Sequence, residues 1–409
     1  MTHNALAIIV LAAGQGTRMK SRLPKVLHPI GGRTLVGHVL TAASRLGAET
    51  VEVVVRHERD QVVAALAAEH PEAVIVDQDE IPGTGRAVQV ALDALPSGFD
   101  GDVLVLSGDV PLLETDTLQA LVDGHRAAAA AATVLSAIVD DPTGYGRIIR
   151  DADGDVARIV EQKDADETEK ATREINAGVY VFRAGPLRAE LGRVTTDNAQ
   201  GEMYLTTVIG LLRQHDEKVA VEIAADTAAT FGINDRVQLA EAARTLNDRI
   251  VRRWQREGVT IQDPATTWID DDVTLAPDVT VLPNTHILRA STVASGAVIG
   301  PDTTLVSTEV GEDAEVRRSE ATLAVIGARA TVGPFSYLRA GTTLGEGGKI
   351  GAYVETKNAQ IGDGSKVPHL SYVGDATVGR GVNLGASTIT ANYDDVNKHR
   401  TEIGDEVHT

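Results

Sequence analysis

The chain has 409 residues, of which 43% are hydrophobic and only 3% are aromatic. This length predicts two or more domains, with cores built mainly from aliphatic residues and alanine. The formal net charge of −20 disfavours DNA, RNA and anionic membranes as partners. The absence of cysteine excludes disulfides, thiolate nucleophiles and cysteine-ligated zinc.

The apolar segment at residues 5–13 indicates a buried strand rather than a signal peptide. No Lys or Arg precedes it, and a glycine-rich loop follows it directly. No apolar run reaches the roughly 20 residues that a membrane-spanning helix needs. We therefore expect a cytoplasmic protein without a membrane partner.

Strand-like and helix-like segments alternate in the first half of the chain. Apolar runs on both faces of the predicted strands, with helices between them, indicate a mostly parallel sheet covered by helices. Such sheets bind ligands at the carboxyl ends of their strands. The predicted strands are residues 6–13, 50–55, 72–77 and 102–109, and the predicted helices are residues 34–47, 59–70 and 85–95.

A polar stretch at residues 235–256 contains no Gly or Pro and predicts a connecting helix. Its apolar residues form one stripe at helical spacing, made of Val237, Ala240, Ala243, Leu246, Ile250 and Trp254.

A hexapeptide repeat follows this helix. From Ile326 to Thr390, aliphatic or similar residues recur at steps of six residues, shortened to five at two places. A sustained step of six is typical of a parallel β-helix, in which each repeat contributes a short strand and a turn. A meander of ordinary short strands would not keep one period over this length.

The glycine loop after the first strand, "AAGQGTRM", fits neither of two common nucleotide-binding motifs. A dinucleotide fingerprint requires a third glycine where Met19 stands, and Lys25 is out of register for a Walker A loop. What remains is a turn with free backbone N–H groups, followed by two cations, Arg18 and Lys25, that are able to flank a polyphosphate.

The segment "LAAGQGTRMKSRLPKVL", residues 11–27, resembles the signature of the sugar-1-phosphate nucleotidyltransferases. Together with the hexapeptide repeats, the chain resembles, over essentially its whole length, the bifunctional N-acetylglucosamine-1-phosphate uridylyltransferase/glucosamine-1-phosphate acetyltransferase family. The resemblance implies a Rossmann-like nucleotidyltransferase domain (1–236), a helical linker (237–257) and a left-handed parallel β-helix (258–409). It also implies a homotrimer formed through the β-helix.

The activity implied by the resemblance is the synthesis of UDP-N-acetylglucosamine for cell-wall precursors. Glucosamine-1-phosphate is acetylated by acetyl-CoA, and a Mg²⁺-dependent uridylyl transfer from UTP then releases pyrophosphate. Arg18 and Lys25 are expected to neutralise charge in this transfer, and Asp109 and Asn234 to bind Mg²⁺. By itself Asp109 would suit a turn or a helix cap equally well. The implied nucleotide and nucleotide-sugar contacts are Leu11, Ala12, Ala13, Gly14, Lys25, Gln78, Gly83, Thr84, Ser107, Gly108, Asp109, Gly146, Glu161, Asn176 and Asn234.

The resemblance assigns a second site to the β-helix, centred on His369. A lone histidine is more often a structural residue, but here it matches the family's general base, which deprotonates the amino group of glucosamine-1-phosphate. The other implied contacts are Arg339, Lys357, Tyr372 and Asn383 for the sugar phosphate, and Ala386, Asn392 and Tyr393 for acetyl-CoA.

The sequence departs from the family pattern at three places. Thr207 stands where an acidic residue is expected, and Asp395 stands where glycine is usual. The chain also stops within a repeat, at "EIGDEVHT", whereas the family continues through further coils. We therefore expect a truncated form that is competent in uridylyl transfer and impaired in acetyl transfer.

Two alternative functions differ from this interpretation. One is another sugar-1-phosphate nucleotidyltransferase with a regulatory β-helix tail, which would not need a base at His369. The other is a non-catalytic β-helix scaffold that binds a nucleotide-sugar, which would not need the Asp109/Asn234 pair.

Overall fold

The computed structural model describes residues 5–409 and contains two compact units. The first comprises the residues up to Pro29 and Arg33–Ala242, and the second comprises Ile30–Gly32 and Ala243–Thr409. None of the helices in the described part of the chain is long and apolar enough to cross a membrane.

The first unit is built on a nine-stranded sheet. Its main path runs in the order β9-β5-β8-β4-β1-β2-β3, and β6 and β7 form an antiparallel extension next to β8. β1 is parallel to β2 and β4, whereas β8 is antiparallel to β4 and β5. The strands are Leu6–Leu11 (β1), Thr50–Val55 (β2), Val74–Asp77 (β3), Asp102–Ser107 (β4), Ala132–Ile138 (β5), Arg147–Arg150 (β6), Val156–Val160 (β7), Glu174–Arg183 (β8) and Val219–Ile223 (β9).

The two faces of this sheet pack into separate hydrophobic cores. Along β1, Ala7 and Ile9 belong to one core, and Ile8 and Val10 belong to the other. Burial on both faces explains why the strand sequences read as continuous apolar runs rather than as alternating ones. The predicted mostly parallel sheet is therefore confirmed.

Helices cover the sheet where the sequence predicts them, with ends that differ by at most three residues from the predicted ones. Thr34 caps the first helix because its hydroxyl accepts a hydrogen bond from the Gly37 N–H. The helices are Leu35–Ser44 (α1), Arg59–Glu69 (α2), Thr84–Ala94 (α3), Thr115–Ala128 (α4), Glu167–Lys170 (α5), Ala184–Leu191 (α6), Thr207–Gln214 (α7) and Arg236–Arg256 (α8), with 3₁₀ turns at Thr17–Met19, Lys25–Leu27 and Thr227–Thr230.

The second unit is a left-handed parallel β-helix. Each short strand pairs in parallel with the third strand after it, so three strands make one coil. Val281 lies beside Ile299, and Ile350 lies beside Val367, one coil further along. These aliphatic side chains fill the interior, which confirms the repeat. The strands are Thr260–Ile261, Trp268–Ile269, Thr274–Leu275, Thr280–Val281, Thr285–Leu288, Thr292–Val293, Val298–Ile299, Thr303–Val306, Glu309–Val310, Glu315–Val316, Glu320–Thr322, Val325–Ile326, Thr331–Val332, Tyr337–Leu338, Thr343–Leu344, Lys349–Ile361, Lys366–Val378 and Thr401–Ile403.

The apolar stripe predicted for α8 is wrong in its first turns. Val237 is 67% exposed, whereas Ile250, Val251 and Trp254 near the other end are buried in the core of the second unit. The boundary between the two units falls within this helix, between Ala242 and Ala243. The helix α8 therefore does not carry one continuous buried stripe, because only its second half packs on the β-helix core.

Candidate functional site

A cleft of about 350 Å³ opens in the first unit where four parallel strands end. β1 ends at Leu11, β2 at Val55, β3 at Asp77 and β4 at Ser107, and the ends of these strands and the loops that follow them supply most of the lining. The lining residues that the sequence predicts are Leu11, Ala13, Gly14, Lys25, Gln78, Gly83, Thr84, Ser107 and Asp109.

The glycine loop folds so that Lys25 approaches its backbone closely. Gly16 has φ 62°, and a Cβ at this position would lie 2.5 Å from the Cβ of Lys25. Only glycine allows both this conformation and this approach. The second glycine of the loop therefore brings the lysine ammonium into the cleft.

The Lys25 ammonium lies in a cluster with three other polar side chains, those of Arg18, Asp109 and Asn234. Lys25 forms a short ion pair with Asp109 and donates a hydrogen bond of 3.3 Å to Asn234 Oδ1. The guanidinium of Arg18 donates to the same amide oxygen at 2.8 Å. Burial alone would raise the pKa of Asp109, but the neighbouring charge and hydrogen bond of Lys25 hold it below its usual value.

The Asp109 and Asn234 side chains suit a hard divalent cation. A carboxylate and an amide oxygen both point at one ammonium group, so they already converge on a positive charge. Oxygen ligands are those that Mg²⁺ prefers, with phosphate and water completing its shell. Ser107 orients the carboxylate because its hydroxyl donates to Asp109 Oδ1 at 2.7 Å.

A second part of the cleft presents an amide side chain beside glycine-rich backbone. Gln78 Nε2 donates to the carbonyl oxygens of Ile81 and Gly83, at 2.9 and 3.1 Å. Gly83 has φ 118°, and a Cβ there would lie 2.3 Å from the Met203 carbonyl oxygen. This arrangement fixes hydrogen-bond donors and acceptors of the side chain and backbone in positions where a planar nucleobase is able to bind.

The predicted sugar-binding residues lie outside the lining of this cleft. The Asn176 N–H donates to the Gly146 carbonyl oxygen at 2.9 Å, so these two residues are neighbours. Glu161 accepts a hydrogen bond of 2.9 Å from the Thr206 hydroxyl, and burial raises the pKa of its carboxyl group. The lining set also lacks Ala12, Gly108, Arg18 and Asn234. Asn234 nevertheless contacts the lining residue Lys25, and Arg18 contacts Asn234.

Four polar residues line the cleft that the sequence interpretation missed, namely Gln15, Arg56, His57 and Glu202. Arg56 and His57 directly follow β2, and the rule that ligands bind at the carboxyl ends of parallel strands identifies this position. Glu202 comes from a distant loop, and no local pattern marks it.

In the β-helix, two long strands carry three residues of the second predicted site, namely Lys357, His369 and Tyr372. Lys349–Ile361 pairs with Lys366–Val378, which puts Glu355 beside Tyr372 and Ala352 beside His369. Arg339 forms an ion pair of 2.9 Å with Glu355. His369 is exposed, and its ring forms no hydrogen bond within residues 5–409.

Two further groups of predicted residues lie elsewhere on the β-helix. Lys357 and Asn392 both approach Asp375, at 3.9 and 2.6 Å. Asn383 lies beside Lys366, three residues before His369 along the same strand. Tyr393 is 60% exposed and donates to the Asp395 carbonyl oxygen at 2.8 Å. The single chain therefore does not bring all of the predicted acetyl-transfer residues together around His369, and Ala386 forms no polar contact among residues 5–409 that would join it to them.

The sequence matches one family model, the MobA-like NTP transferase domain, over residues 8–174. Three curated relatives, all bifunctional GlmU proteins, match nearly the whole chain. That of Clavibacter sepedonicus is 63% identical over 99% of this chain and 82% of its own length. That of Leifsonia xyli subsp. xyli is 61% identical over 100% and 84%, and that of Kineococcus radiotolerans is 56% identical over 98% and 82%. With a nucleotidyltransferase-type cleft, a hexapeptide β-helix and this identity over both, the chain belongs to the family of bifunctional GlmU proteins.

Proposed function

We propose that this chain makes UDP-N-acetylglucosamine through two activities, an acetyl transfer in the β-helix and a uridylyl transfer in the first unit. The observation that supports the uridylyl transfer most directly is the cluster of Arg18, Lys25, Asp109 and Asn234 at the carboxyl ends of parallel strands. Its substrates are UTP and N-acetylglucosamine-1-phosphate, with acetyl-CoA and glucosamine-1-phosphate at the other site. Both UTP and acetyl-CoA are cytoplasmic metabolites, which supports a cytoplasmic location.

Uridylyl transfer needs no nucleophile from the protein. A phosphate oxygen of the sugar phosphate forms a bond to the α-phosphorus of UTP, and the bond from that phosphorus to the bridging oxygen of pyrophosphate breaks. Arg18 and Lys25 hold the phosphates and neutralise the charge that develops on them. A Mg²⁺ ion held by Asp109 and Asn234 would supply further neutralisation.

Acetyl transfer needs a base, and His369 suits this role. Its imidazole removes a proton from the amino group of glucosamine-1-phosphate. The nitrogen then attacks the thioester carbonyl carbon of acetyl-CoA, and the carbon–sulfur bond breaks to release CoA. Arg339, Lys357 and Tyr372 line neighbouring coils and supply cations and a hydroxyl group for the sugar phosphate.

A homotrimer through the β-helix is supported by an exposed apolar column at one corner of the second unit. Phe335, Tyr353 and Leu370 are 51%, 61% and 59% exposed, respectively. All three have a positive φ, of 62°, 58° and 51° in the same order. The rings of Phe335 and Tyr353 stack with centroids 5.4 Å apart. Bulky residues rarely adopt this conformation, and exposed apolar patches mark interaction sites. His369 directly precedes Leu370, so a second copy on this column would also enclose the base.

The trimer predicts a specific defect in Leu370→Glu. A charge in the apolar column should give a monomer by light scattering and lower the rate of CoA release by at least about tenfold, while pyrophosphate release stays within about twofold of wild type. The same change at exposed Leu323, outside the column, is the matched control. A trimeric Leu370→Glu variant with full acetyl transfer would contradict this interface.

The two activities should be separable by single substitutions. Asp109→Asn should lower pyrophosphate release by at least about a hundredfold and leave CoA release intact, because it removes a full charge from the first site alone. His369→Ala should do the reverse, because it removes only the base. Both products are measured for each variant. Loss of both activities in either folded variant would contradict the assignment of the sites.

A further inference from the structure

Arg147, the first residue of β6, is a buried cation behind the loop of residues 144–146, where Gly146 is a proposed sugar contact. Its side chain is only 1% exposed. The guanidinium donates to the carbonyl oxygen of Tyr145 through a short contact, and to Gln162 Oε1 and the Lys170 carbonyl oxygen at 2.7 and 3.4 Å. All three partners are neutral oxygens.

A buried guanidinium that donates to no carboxylate among the described residues is an expensive feature, although the charge of Asp141 interacts with it. Taking the charge out of water is unfavourable unless hydrogen bonds compensate, and burial lowers the pKa of Arg147. Its Nε has no hydrogen-bond partner in the part of the chain that the structure describes. An apolar residue would fill the same space at a lower cost. The contacts that the arginine makes with the loop are therefore the property that distinguishes it from an apolar residue.

Hydrogen bonds fix the loop of residues 144–146 at both of its ends. Gln162 Oε1 accepts from the Arg147 guanidinium and also from the Gly144 N–H, at 3.1 Å. At the other end, the Gly146 carbonyl oxygen accepts from the Asn176 N–H at 2.9 Å. A Cβ at Gly146 would lie 3.3 Å from Ile159 Cγ2, so the loop is also tightly packed.

The held peptide presents one donor. A trans peptide directs its C=O and N–H to opposite sides. Because the Tyr145 carbonyl oxygen is held by Arg147, the Gly146 N–H points away from the guanidinium. Gly146 is buried, and no hydrogen bond from its N–H is found within residues 5–409. A buried N–H without an acceptor is rare in folded proteins, which indicates that a ligand oxygen completes it.

We propose that Arg147 is a positioning residue that, together with Gln162, aims the Gly146 N–H at an oxygen atom of the sugar ring or acetamido group of the sugar phosphate. This inference rests on the proposed uridylyl transfer, and it deepens the sugar site of that reaction. Arg147 does not touch the substrate. It acts by holding the Tyr145–Gly146 peptide in one orientation.

The test measures KM for each substrate separately in pyrophosphate release. Arg147→Lys keeps the charge but loses the planar guanidinium group. The side chain then no longer holds both the Tyr145 carbonyl oxygen and Gln162 Oε1. We expect KM for N-acetylglucosamine-1-phosphate to rise by at least about tenfold and KM for UTP to change by less than about twofold. Equal effects on both substrates, or none on either, would overturn the proposal.

A second pair of variants decides the question if Arg147→Lys does not fold. Gln162→Leu removes the shared acceptor and should raise KM for the sugar phosphate, whereas Gln162→Glu keeps an acceptor and should stay within about threefold of wild type. Identical kinetics for these two variants would overturn the proposal.

The controls separate this inference from a general loss of structure and from failure of the proposed function. Arg150→Lys alters the exposed arginine at the other end of β6, which pairs with Glu174 at 2.7 Å, and should leave both KM values unchanged. Because the substitutions lie in the first unit, an unchanged kcat for pyrophosphate release reports that this unit is otherwise intact in each variant. Wild-type protein that releases no pyrophosphate would contradict the proposed function itself, whereas active wild type with unaltered variants would contradict only the role of Arg147.

Discussion

One buried carboxyl group, that of Glu52 on β2, contributes to the pH dependence of the stability of the first unit. Its side chain is only 2% exposed, and its Oε2 has no hydrogen-bond partner among the described residues. Burial raises its pKa from 4.5 to about 7. The folded state therefore keeps a proton that the unfolded chain has already lost, and the free energy of unfolding should fall as the pH rises from 4.5 to about 7.

Glu52→Gln should remove this dependence, because the amide has a similar shape and no charge to bury. At pH 8 the variant should be more stable than wild type by up to about 3 kcal/mol, and at pH 4 the two should be nearly equal. Urea unfolding at both pH values measures the difference. The exposed Glu49, three residues earlier, supplies the control Glu49→Gln, which should behave as wild type. An equal pH dependence in wild type and Glu52→Gln would contradict this account.

Residue conformation also explains one departure from the family pattern. Asp395 has φ 72°, in the left-handed region where glycine is favoured. Aspartate is among the residues that tolerate this conformation, and glycine adopts it without strain.

At the scale of single elements, the other departure lies at the start of a helix. Thr207 is the exposed first residue of α7, and the first turn of this helix contains no acidic residue. A carboxylate there would interact favourably with the positive end of the helix dipole. The expected acidic residue thus has a structural reason.

Thr207→Asp should therefore raise the free energy of unfolding by about 0.5 kcal/mol, and Thr207→Lys should lower it by a similar amount. The placement control is Gln214→Asp at the last residue of α7, where the same charge should be unfavourable. Denaturant midpoints of the three variants measure the effect, which should shrink in high salt. A stabilising effect of aspartate at both ends would exclude the dipole as its cause.

Elements of the fold could be predicted where one residue pattern decides the structure. The doubly buried β1 and the six-residue step of the β-helix are such cases. Val237 was misjudged because apolar spacing alone does not show which part of a helix meets a core. The site was less predictable. The approach of Lys25 to Gly16, the lining by Glu202 and the burial of Arg147 all arise from residues that are distant in sequence or hidden by the fold.

At the scale of the whole molecule, one chain carries two units with different polar sites, a cleft with paired cations and oxygen ligands and a β-helix with an exposed histidine. The presence of both units in one chain matters because the product of acetyl transfer is the substrate of uridylyl transfer.

The most direct test is a pair of assays on the wild-type chain with Mg²⁺. One follows pyrophosphate released from UTP and N-acetylglucosamine-1-phosphate, and the other follows CoA released from acetyl-CoA and glucosamine-1-phosphate. We predict that both products are released and that chelation of the metal abolishes the release of pyrophosphate. A folded chain that binds UTP but releases no pyrophosphate would contradict the central claim.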